Sequence, residues 1–276
     1  MTHTTRIRRH FGSLARDYYD RNYVKDARDP RVYPELPIRH QYILDMLEPT
    51  GPARRVLDVG CGSGIMVVDL ARQGHSVWGI DVAPEMIRKT RLLAAEELID
   101  GQAPELCVGT IESLPFAAEY FDVVIAAGVI EYLEEDAAAL RELRRVLRPG
   151  GVLIASFRNA VNIARILTHT RALIRKVPLL NHVTDWIVDV IRKVTKRPRS
   201  GDPLFRMIKP WDLSRELCAN GFRREDFAFY RFAALPEWLE QRWPAQVVPI
   251  NRQLEIFSRT PLGYLANGYL VKARKV

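Results

Sequence analysis

The chain has 276 residues, of which 47% are hydrophobic, and carries a formal net charge of +8. It contains no uncharged apolar stretch of about 18 residues, which is the length that a membrane-spanning helix needs. The sequence therefore predicts no membrane-spanning helix. Its three cysteines, Cys61, Cys107 and Cys218, are too widely spaced to indicate a disulfide framework or a zinc site, which is typical of proteins in the reducing cytoplasm. We therefore expect a single cytoplasmic domain with a large buried core.

The excess positive charge is confined to one segment. Between Arg158 and Lys209 the sequence holds twelve basic and three acidic residues, a net charge of +9, so the rest of the chain sums to about −1. The segment predicts two basic amphipathic helices divided at Pro178, each with an apolar face opposite its arginines and lysines. Two interpretations stay open: the apolar faces pack against the protein as a lid, or the segment makes peripheral contact with an anionic membrane surface.

Strands and helices alternate along most of the chain. A helix at 36–47 precedes the first strand, and a helix at 211–219 precedes the last two strands. Alternating β and α elements imply a parallel sheet that is covered by helices on both faces. The predicted strands are 55–59, 76–80, 105–108, 121–126, 152–156, 222–232 and 268–273, and the main helices among the first five are 65–73, one beginning near Pro84, and 135–147.

The first strand ends in a glycine-rich turn. The stretch 56–59 is followed by glycines at alternate positions, Gly60, Gly62 and Gly64, which allow a ligand to approach the backbone closely. Asp81 lies 21 residues after Gly60, at the tip of the second strand, where a carboxylate can accept hydrogen bonds from ribose hydroxyls. The spacing of these glycines differs from the dinucleotide fingerprint, and the chain has no Gly-Lys-Ser/Thr phosphate loop.

These features resemble class I S-adenosylmethionine (SAM)-dependent methyltransferases over roughly residues 36–157. The resemblance implies an α/β, Rossmann-like fold with a seven-stranded, mostly parallel sheet, whose antiparallel last strand lies beside strand five. It implies SAM as cofactor and S-adenosylhomocysteine (SAH) as product. Within a single domain, 1–276, we expect an N-terminal helical cap (1–54), a SAM-binding core (55–157), the basic helical insertion (158–209) and a C-terminal part of the sheet (210–276) with a lid excursion at 233–266.

The same resemblance assigns residues to SAM. In the family the glycine turn passes beneath the methionine part and the acid at the position of Asp81 binds the ribose, while residues 109–116 resemble the adenine-binding segment, with Thr110 where relatives usually have an acid. Residues 36–43 resemble, more narrowly, the ubiquinone-biosynthesis O-methyltransferases, in which an arginine reaches the SAM carboxylate; Arg39 is the candidate here. The full set of expected cofactor-binding residues is Arg39, Asp58, Gly60, Cys61, Gly62, Asp81, Val82, Met86, Thr110, Ile111 and Ala127.

Residues 127–133 follow the fourth strand and, by the resemblance, lie over the site of methyl transfer. In the ubiquinone group, glutamates and a histidine in this region are associated with a metal, but this chain has Gly128 and Tyr132 and keeps only Glu131. A hard cation needs several oxygen ligands, so we expect no metal. Tyrosine, with an ordinary pKa of about 10, is a poor base at neutral pH, and Tyr132 can equally be a packing residue. The candidate catalytic residues are Tyr132, Glu131, Tyr19 and His40.

The sequence thus predicts an enzyme that moves a methyl group from SAM to an oxygen or nitrogen of a small-molecule or lipid-like acceptor. Residues 11–35, 158–209 and 233–266 would surround the acceptor at the carboxyl edge of the sheet. The basic segment also suggests a nucleic-acid methyltransferase, which is disfavoured because its charges lie on amphipathic helices and no RNA-binding module is recognisable. A non-catalytic SAM-binding scaffold is the other alternative, since Thr110 and Tyr132 depart from the family pattern. The oligomeric state stays open.

Overall fold

A seven-stranded sheet forms the centre of the computed structural model, which describes residues 2–25, 29–47, 53–98, 103–161, 205–233, 240 and 242–276. Its strands are β1 (Arg55–Val59), β2 (Ser76–Asp81), β3 (Glu105–Val108), β4 (Phe121–Ala126), β5 (Leu147–Arg158), β6 (Phe222–Tyr230) and β7 (Gly268–Lys275). The strand order is β3-β2-β1-β4-β5-β7-β6. Strands β1 to β5 pair in parallel, and β7 runs antiparallel between β5 and β6. This order confirms the Rossmann-like sheet expected from the sequence, including the antiparallel last strand beside strand five.

Most helices begin and end within two residues of their predicted limits. The exceptions are α1, at residues 3–14, and α7, at residues 244–253, for which the sequence predicted no individual helix. The helices are α1 (His3–Leu14), α2 (Glu35–Met46), α3 (Ile65–Arg72), α4 (Pro84–Glu97), α5 (Ala137–Val146), α6 (Pro210–Ala219) and α7 (Pro244–Gln253), with a π-helical turn at Asp20–Lys25 and 3-10 turns at Ile130–Tyr132, Leu254–Phe257 and Pro261–Leu265.

Strand β5 is longer than predicted. Leu147 already pairs with Phe121 of β4, but the next pair joins Val152 to Val123, so residues 148–151 bulge out of the ladder. The Pro-Gly-Gly sequence at 149–151 therefore marks an irregularity near the start of the strand instead of the turn before it. At its other end β5 continues to Arg158, two residues beyond the predicted limit.

Successive strand residues pack on opposite faces of the sheet, and both faces are buried. In β1, Val56 packs in one layer with Ile43 and Leu70, whereas Leu57 packs in the other layer with Leu140. This two-sided burial explains why the strand is an almost continuous apolar run instead of an alternating one. Because β1 to β5 are parallel, their carboxyl ends meet at a single edge of the sheet, which positions the candidate site.

A hydrogen-bond cluster around Glu255 joins the α2 region to the C-terminal part of the chain. The Tyr33 and Tyr42 hydroxyls both donate to the Glu255 carboxylate, the second at 2.9 Å. The Arg231 N–H donates to the same carboxylate at 3.0 Å. Burial raises the pKa of Glu255 to about 7, against the lowering effect of the Arg231 and Phe232 backbone N–H groups. Glu255 and Arg231, which follows β6, are thereby held beside the start of α2.

The two predicted basic helices fall between residues 162 and 204, outside the described part of the chain. The described ends of this insertion return to the sheet: the Asn159 N–H donates to the Asn267 carbonyl at 2.8 Å, and the Ala160 N–H donates to the Ile208 carbonyl at 3.0 Å. Among the residues that are described, no helix combines the length and apolar character needed to cross a bilayer.

Candidate functional site

A cavity of about 540 Å³ opens at the edge of the sheet where β1, β2, β4 and β5 end. This is the position where open α/β sheets bind ligands, and the volume lies within the range of roughly 300–1,000 Å³ that is usual for small-molecule sites. All eleven residues predicted to bind the cofactor line this cavity. The sheet topology therefore brings together residues that lie far apart in the chain, from Arg39 to Ala127.

The glycine turn after β1 approaches the loop after β4 very closely. Gly60 has a φ of +72°, and a Cβ atom at this position would lie 2.2 Å from Cγ2 of Val129. The N–H groups of Gly60 and Cys61 both donate to the Ile80 carbonyl, at 2.7 and 3.1 Å. Backbone conformation and the Val129 side chain thus both require glycine at position 60, which keeps the turn free of a side chain where it borders the cavity.

The Asp81 carboxylate lies at the tip of β2 and holds the glycine turn. Its Oδ2 atom accepts a hydrogen bond from the Gly62 N–H at 3.0 Å, and its Oδ1 atom accepts one from the Ala83 N–H at 2.8 Å. Burial raises the pKa of Asp81, and these backbone hydrogen bonds oppose the shift. Each carboxylate oxygen has further acceptor capacity, so Asp81 can also accept hydrogen bonds from a ligand in the cavity.

Two opposite charges face the cavity beside the glycine turn. Burial, followed by the charge of Asp81, raises the pKa of Asp58 to about 7, although Arg39 lowers it. Arg39 extends from α2 into the space left by Gly128: a Cβ atom on Gly128 would lie 2.7 Å from Nη1 of Arg39. Within the described residues the Arg39 guanidinium has no hydrogen-bond or ion-pair partner. The pair could therefore hold the carboxylate and ammonium groups of an amino acid.

The segment after β3 also lines the cavity. Thr110 and Ile111 both border it, and Ile111 is buried. Glu112, which the sequence analysis did not select, borders it as well. Glu112 lies only two residues after Thr110, so the motif does contain a carboxylate, displaced from the position where relatives usually have one.

Three of the four candidate catalytic residues line the cavity: Glu131, Tyr132 and His40. Burial raises the pKa of Tyr132 to about 12, with a further contribution from the Glu131 charge, so its hydroxyl does not act as a base at neutral pH. His40 already contacts a carboxylate, since its Nε2 lies 2.8 Å from Oδ2 of Asp69. Among the described residues no three His, Cys, Asp or Glu side chains are grouped as they would be around a metal ion.

The fourth candidate, Tyr19, does not line the cavity, which corrects the expectation from the sequence. Its side chain packs against Val68, Leu93 and the rest of a small apolar cluster. Tyr18 borders the cavity instead. Consecutive residues on a helical backbone point about 100° apart, and here Tyr18 is the one that faces the site.

Helix α1 covers part of the cavity with one face. His3, Ile7, Phe11 and Leu14 all line it, at the spacing of one helical face. The His3 ring contacts the Tyr132 carbonyl at 2.6 Å between Nε2 and O, and the Phe11 ring meets the Tyr132 ring edge-on with centroids 5.2 Å apart. The 3, 7, 11, 14 spacing was the available signal for this helix. By contrast, no described residue between 233 and 266 lines the cavity.

Comparison with known proteins agrees with this geometry. Residues 57–155 match the family described as a methyltransferase domain. A ubiquinone biosynthesis O-methyltransferase of Cereibacter sphaeroides is 34% identical over 179 residues, which cover 60% of this chain and 70% of the relative. The chain belongs to the class I SAM-dependent methyltransferases.

Two further proteins are similar to the chain over most of its length. A ubiquinone biosynthesis O-methyltransferase of Xanthomonas axonopodis pv. citri is 29% identical over 265 residues, which cover 95% of this chain and 92% of the relative. The crystal structure of the magnesium protoporphyrin IX methyltransferase of Synechocystis PCC 6803 with bound SAH superposes with a TM-score of 0.61 at 18% identity and full coverage of both chains, which shows the shared fold.

As a methyltransferase of this class, the chain uses SAM as methyl donor and releases SAH. The residues at the cavity fit this cofactor, since the turn at Gly60 leaves no room for a side chain, the Asp81 carboxylate can accept hydrogen bonds from hydroxyls, and the Arg39 guanidinium lacks a partner among the described residues. When SAM is bound, its sulfonium supplies an electrophilic methyl carbon.

Gly60→Ala is expected to weaken SAM binding by about tenfold or more, because the new methyl group would collide with Val129. Gly74→Ala is the matched control: Gly74 has a φ of +83°, but no atom lies within 4 Å of an added Cβ. Both variants carry backbone strain, and only the first should lose affinity in isothermal titration calorimetry. Equal affinities in the two variants would contradict the assignment of the glycine turn to the cofactor.

Proposed function

We propose that this enzyme transfers the methyl group to a hydroxyl oxygen of a small-molecule acceptor, with Glu131 as the proton acceptor. The observation that supports this most directly is Oε2 of Glu131, which is buried and has no hydrogen-bond partner, in a residue that lines the cavity. Only 3% of Glu131 is exposed. A buried carboxylate oxygen without a partner is costly, and an acceptor O–H group would satisfy it.

In this proposal, different polar groups of the cavity bind different parts of SAM. The Arg39 guanidinium binds the SAM carboxylate, and Asp58 faces the ammonium group. Asp81 accepts hydrogen bonds from the ribose hydroxyls, and the adenine lies against Thr110 and Ile111. The support for this arrangement is that all five residues line one cavity and that Arg39 has no partner among the described residues.

Proton transfer to Glu131 and methyl transfer together balance the reaction. The acceptor O–H proton passes to the Glu131 carboxylate, and the acceptor oxygen forms the new O–CH₃ bond. The S–CH₃ bond breaks, and its electron pair stays on sulfur. Burial raises the pKa of Glu131, which makes it a stronger base, although Arg39 opposes the shift. Holding the oxygen in line with the methyl carbon supplies much of the rate.

Two observations support the acceptor class. The relatives from Xanthomonas and Cereibacter are both O-methyltransferases by name, which favours oxygen over nitrogen. Ile7, Phe11 and Leu14 give the cavity an apolar wall on the side of α1, which favours an acceptor with an apolar body.

Removal of the Asp81 carboxylate is expected to reduce SAM affinity at least several-fold, since ribose hydroxyls and the Gly62 N–H would lose their acceptor at a cost of about 1–3 kcal/mol. Calorimetry on Asp81→Ala measures this loss. Glu105→Ala, which removes an exposed carboxylate on β3 outside the cavity, should bind SAM as the wild type does. If Asp81→Ala keeps wild-type affinity, the ribose assignment is wrong.

The proposed function is tested with the purified enzyme, radiolabelled SAM and a panel of small hydroxylated compounds. Glu131→Gln should lower the rate of methyl transfer by about 100-fold while leaving SAM affinity unchanged, because only the proton acceptor is lost. Glu134→Gln, at an exposed position in the same loop, is the matched control.

Transfer should also survive EDTA, since the residues at 128 and 132 are poor metal ligands. Full activity of Glu131→Gln, or magnesium-dependent activity, would refute the corresponding part of the proposal.

We further propose that the basic insertion, 158–209, makes peripheral contact with an anionic membrane, from which an apolar acceptor could enter the cavity. The support is in the sequence, since the predicted helices lie outside the described residues. Each basic residue near an anionic leaflet contributes about 1 kcal/mol, so four or five acting together suffice for association.

Co-sedimentation with vesicles tests this contact. The protein should bind vesicles that contain an anionic lipid and not neutral ones, and binding should weaken as salt increases. Substitution of Arg171, Arg175, Lys176, Arg192 and Lys193 by glutamine should abolish it. Absence of binding at low salt would leave the alternative in which the insertion is a packed lid.

A further inference from the structure

We infer that Arg158 binds the acceptor directly, by holding the oxygen of an acidic hydroxyl of the phenol or enol class opposite Glu131. This inference rests on the proposed function, because it concerns the hydroxyl whose proton passes to Glu131. It adds a residue that the sequence analysis did not select, and it narrows the class of acceptor.

The position of Arg158 is fixed at the edge of the cavity. It is the last residue of β5, it lines the cavity, and it pairs with Gly268 in β7. The Ile208 N–H donates to its carbonyl at 2.9 Å. Its guanidinium carbon lies 4.4 Å from the centre of the Phe205 ring, which supports the plane of the guanidinium by a cation–π contact. Main chain and side chain are therefore both held in place before an acceptor arrives.

Arg158 and Glu131 have complementary unsatisfied atoms. Only three buried side-chain nitrogen or oxygen atoms lack a hydrogen-bond partner within the described chain, and two of them are Nε of Arg158 and Oε2 of Glu131. The third is Nε of Arg206, whose guanidinium is already paired with Asp136. Both Arg158 and Glu131 line the cavity, and within the described residues no direct ion pair joins them. One donor and one acceptor thus lack a partner in two residues that line the same cavity.

A hydroxyl group satisfies both atoms at once. Its oxygen can accept a hydrogen bond from Nε–H of Arg158 while its O–H donates to Oε2 of Glu131. A protonated amine only donates and would leave the Arg158 donor unsatisfied. Among the other arginines that line the cavity, Arg39 is placed to bind the SAM carboxylate, and Arg231 pairs with Glu35 at 3.3 Å. Among the described arginines that line the cavity, Arg158 therefore remains to bind the acceptor.

This geometry favours an acceptor hydroxyl that ionises readily. A positive charge in contact with an oxygen stabilises the oxyanion and lowers the pKa of the hydroxyl by about 1–3 units. The proton passes to Glu131, the oxyanion stays bound to Arg158, and the O–CH₃ bond then forms as the S–CH₃ bond breaks. Phenols and enols benefit most, because a phenol has an ordinary pKa of about 10 and such a shift brings ionisation towards neutral pH, whereas an alkyl alcohol stays un-ionised.

The ionisation of 4-nitrophenol bound to the enzyme–SAH complex tests the role of Arg158 without any methyl transfer. Nitrophenolate absorbs visible light, so a pH titration of the bound probe reports its pKa directly. In the wild-type complex the bound probe should ionise about one pH unit below the free probe, which is a tenfold change in acidity. Arg158→Gln should abolish this shift, and Arg158→Lys, which keeps the charge, should retain part of it.

Calorimetry with SAH distinguishes a failure of the inference about Arg158 from a failure of the proposed function. Arg158→Gln and the surface control Arg88→Gln should bind SAH as the wild type does, which shows that the cofactor part of the cavity is intact. If the wild type does not bind SAH, the proposed function fails. If SAH binds but 4-nitrophenol does not, or if the probe titrates identically in the wild type and Arg158→Gln, the inference about Arg158 is wrong and the proposed function stands.

Discussion

The tight turn between β1 and α3 is the constraint on which the candidate site depends. Its N–H groups at positions 60 and 61 share the carbonyl of Ile80, and its third residue, Gly62, donates to the Asp81 carboxylate. The turn also approaches Val129 so closely that no side chain fits at position 60. One short stretch of backbone thus fixes the ends of β1, β2 and β4 relative to one another, and these three ends supply much of the cavity wall.

The cavity contains charges that the protein alone does not neutralise well. Asp58 is buried with its pKa raised to about 7, and Glu131 is buried with an oxygen that has no partner. Arg39 and Arg158 face the same space. Burial of such groups reduces stability, and folded proteins usually keep them where a ligand compensates the cost. The buried charged groups without a partner therefore indicate most directly what kind of ligand the site binds.

Local sequence patterns predicted the sheet, and the residues selected around the glycine turn meet in one cavity. The alternating elements located the strands, and the glycine spacing with the acid at Asp81 located the turn, because both depend on residues near one another in the chain. The acceptor side was predicted less well. Tyr19 was selected although Tyr18 faces the cavity, since the direction of a side chain depends on how its helix packs. Within the expected N-terminal helical cap, the limits of α1 were not predicted.

The sequence by itself determined the α/β architecture and the position of the glycine turn, because backbone conformation and apolar periodicity are encoded over a few residues. The cofactor class was implied by the resemblance of these motifs to a known family. The tertiary structure decided which charged groups lack a partner. Glu131 and Arg158 are 27 residues apart and belong to different strand ends, and Glu255 meets Tyr33 across most of the chain. Whether a polar atom is satisfied depends on every element packed around it, and only the folded chain brings those elements together.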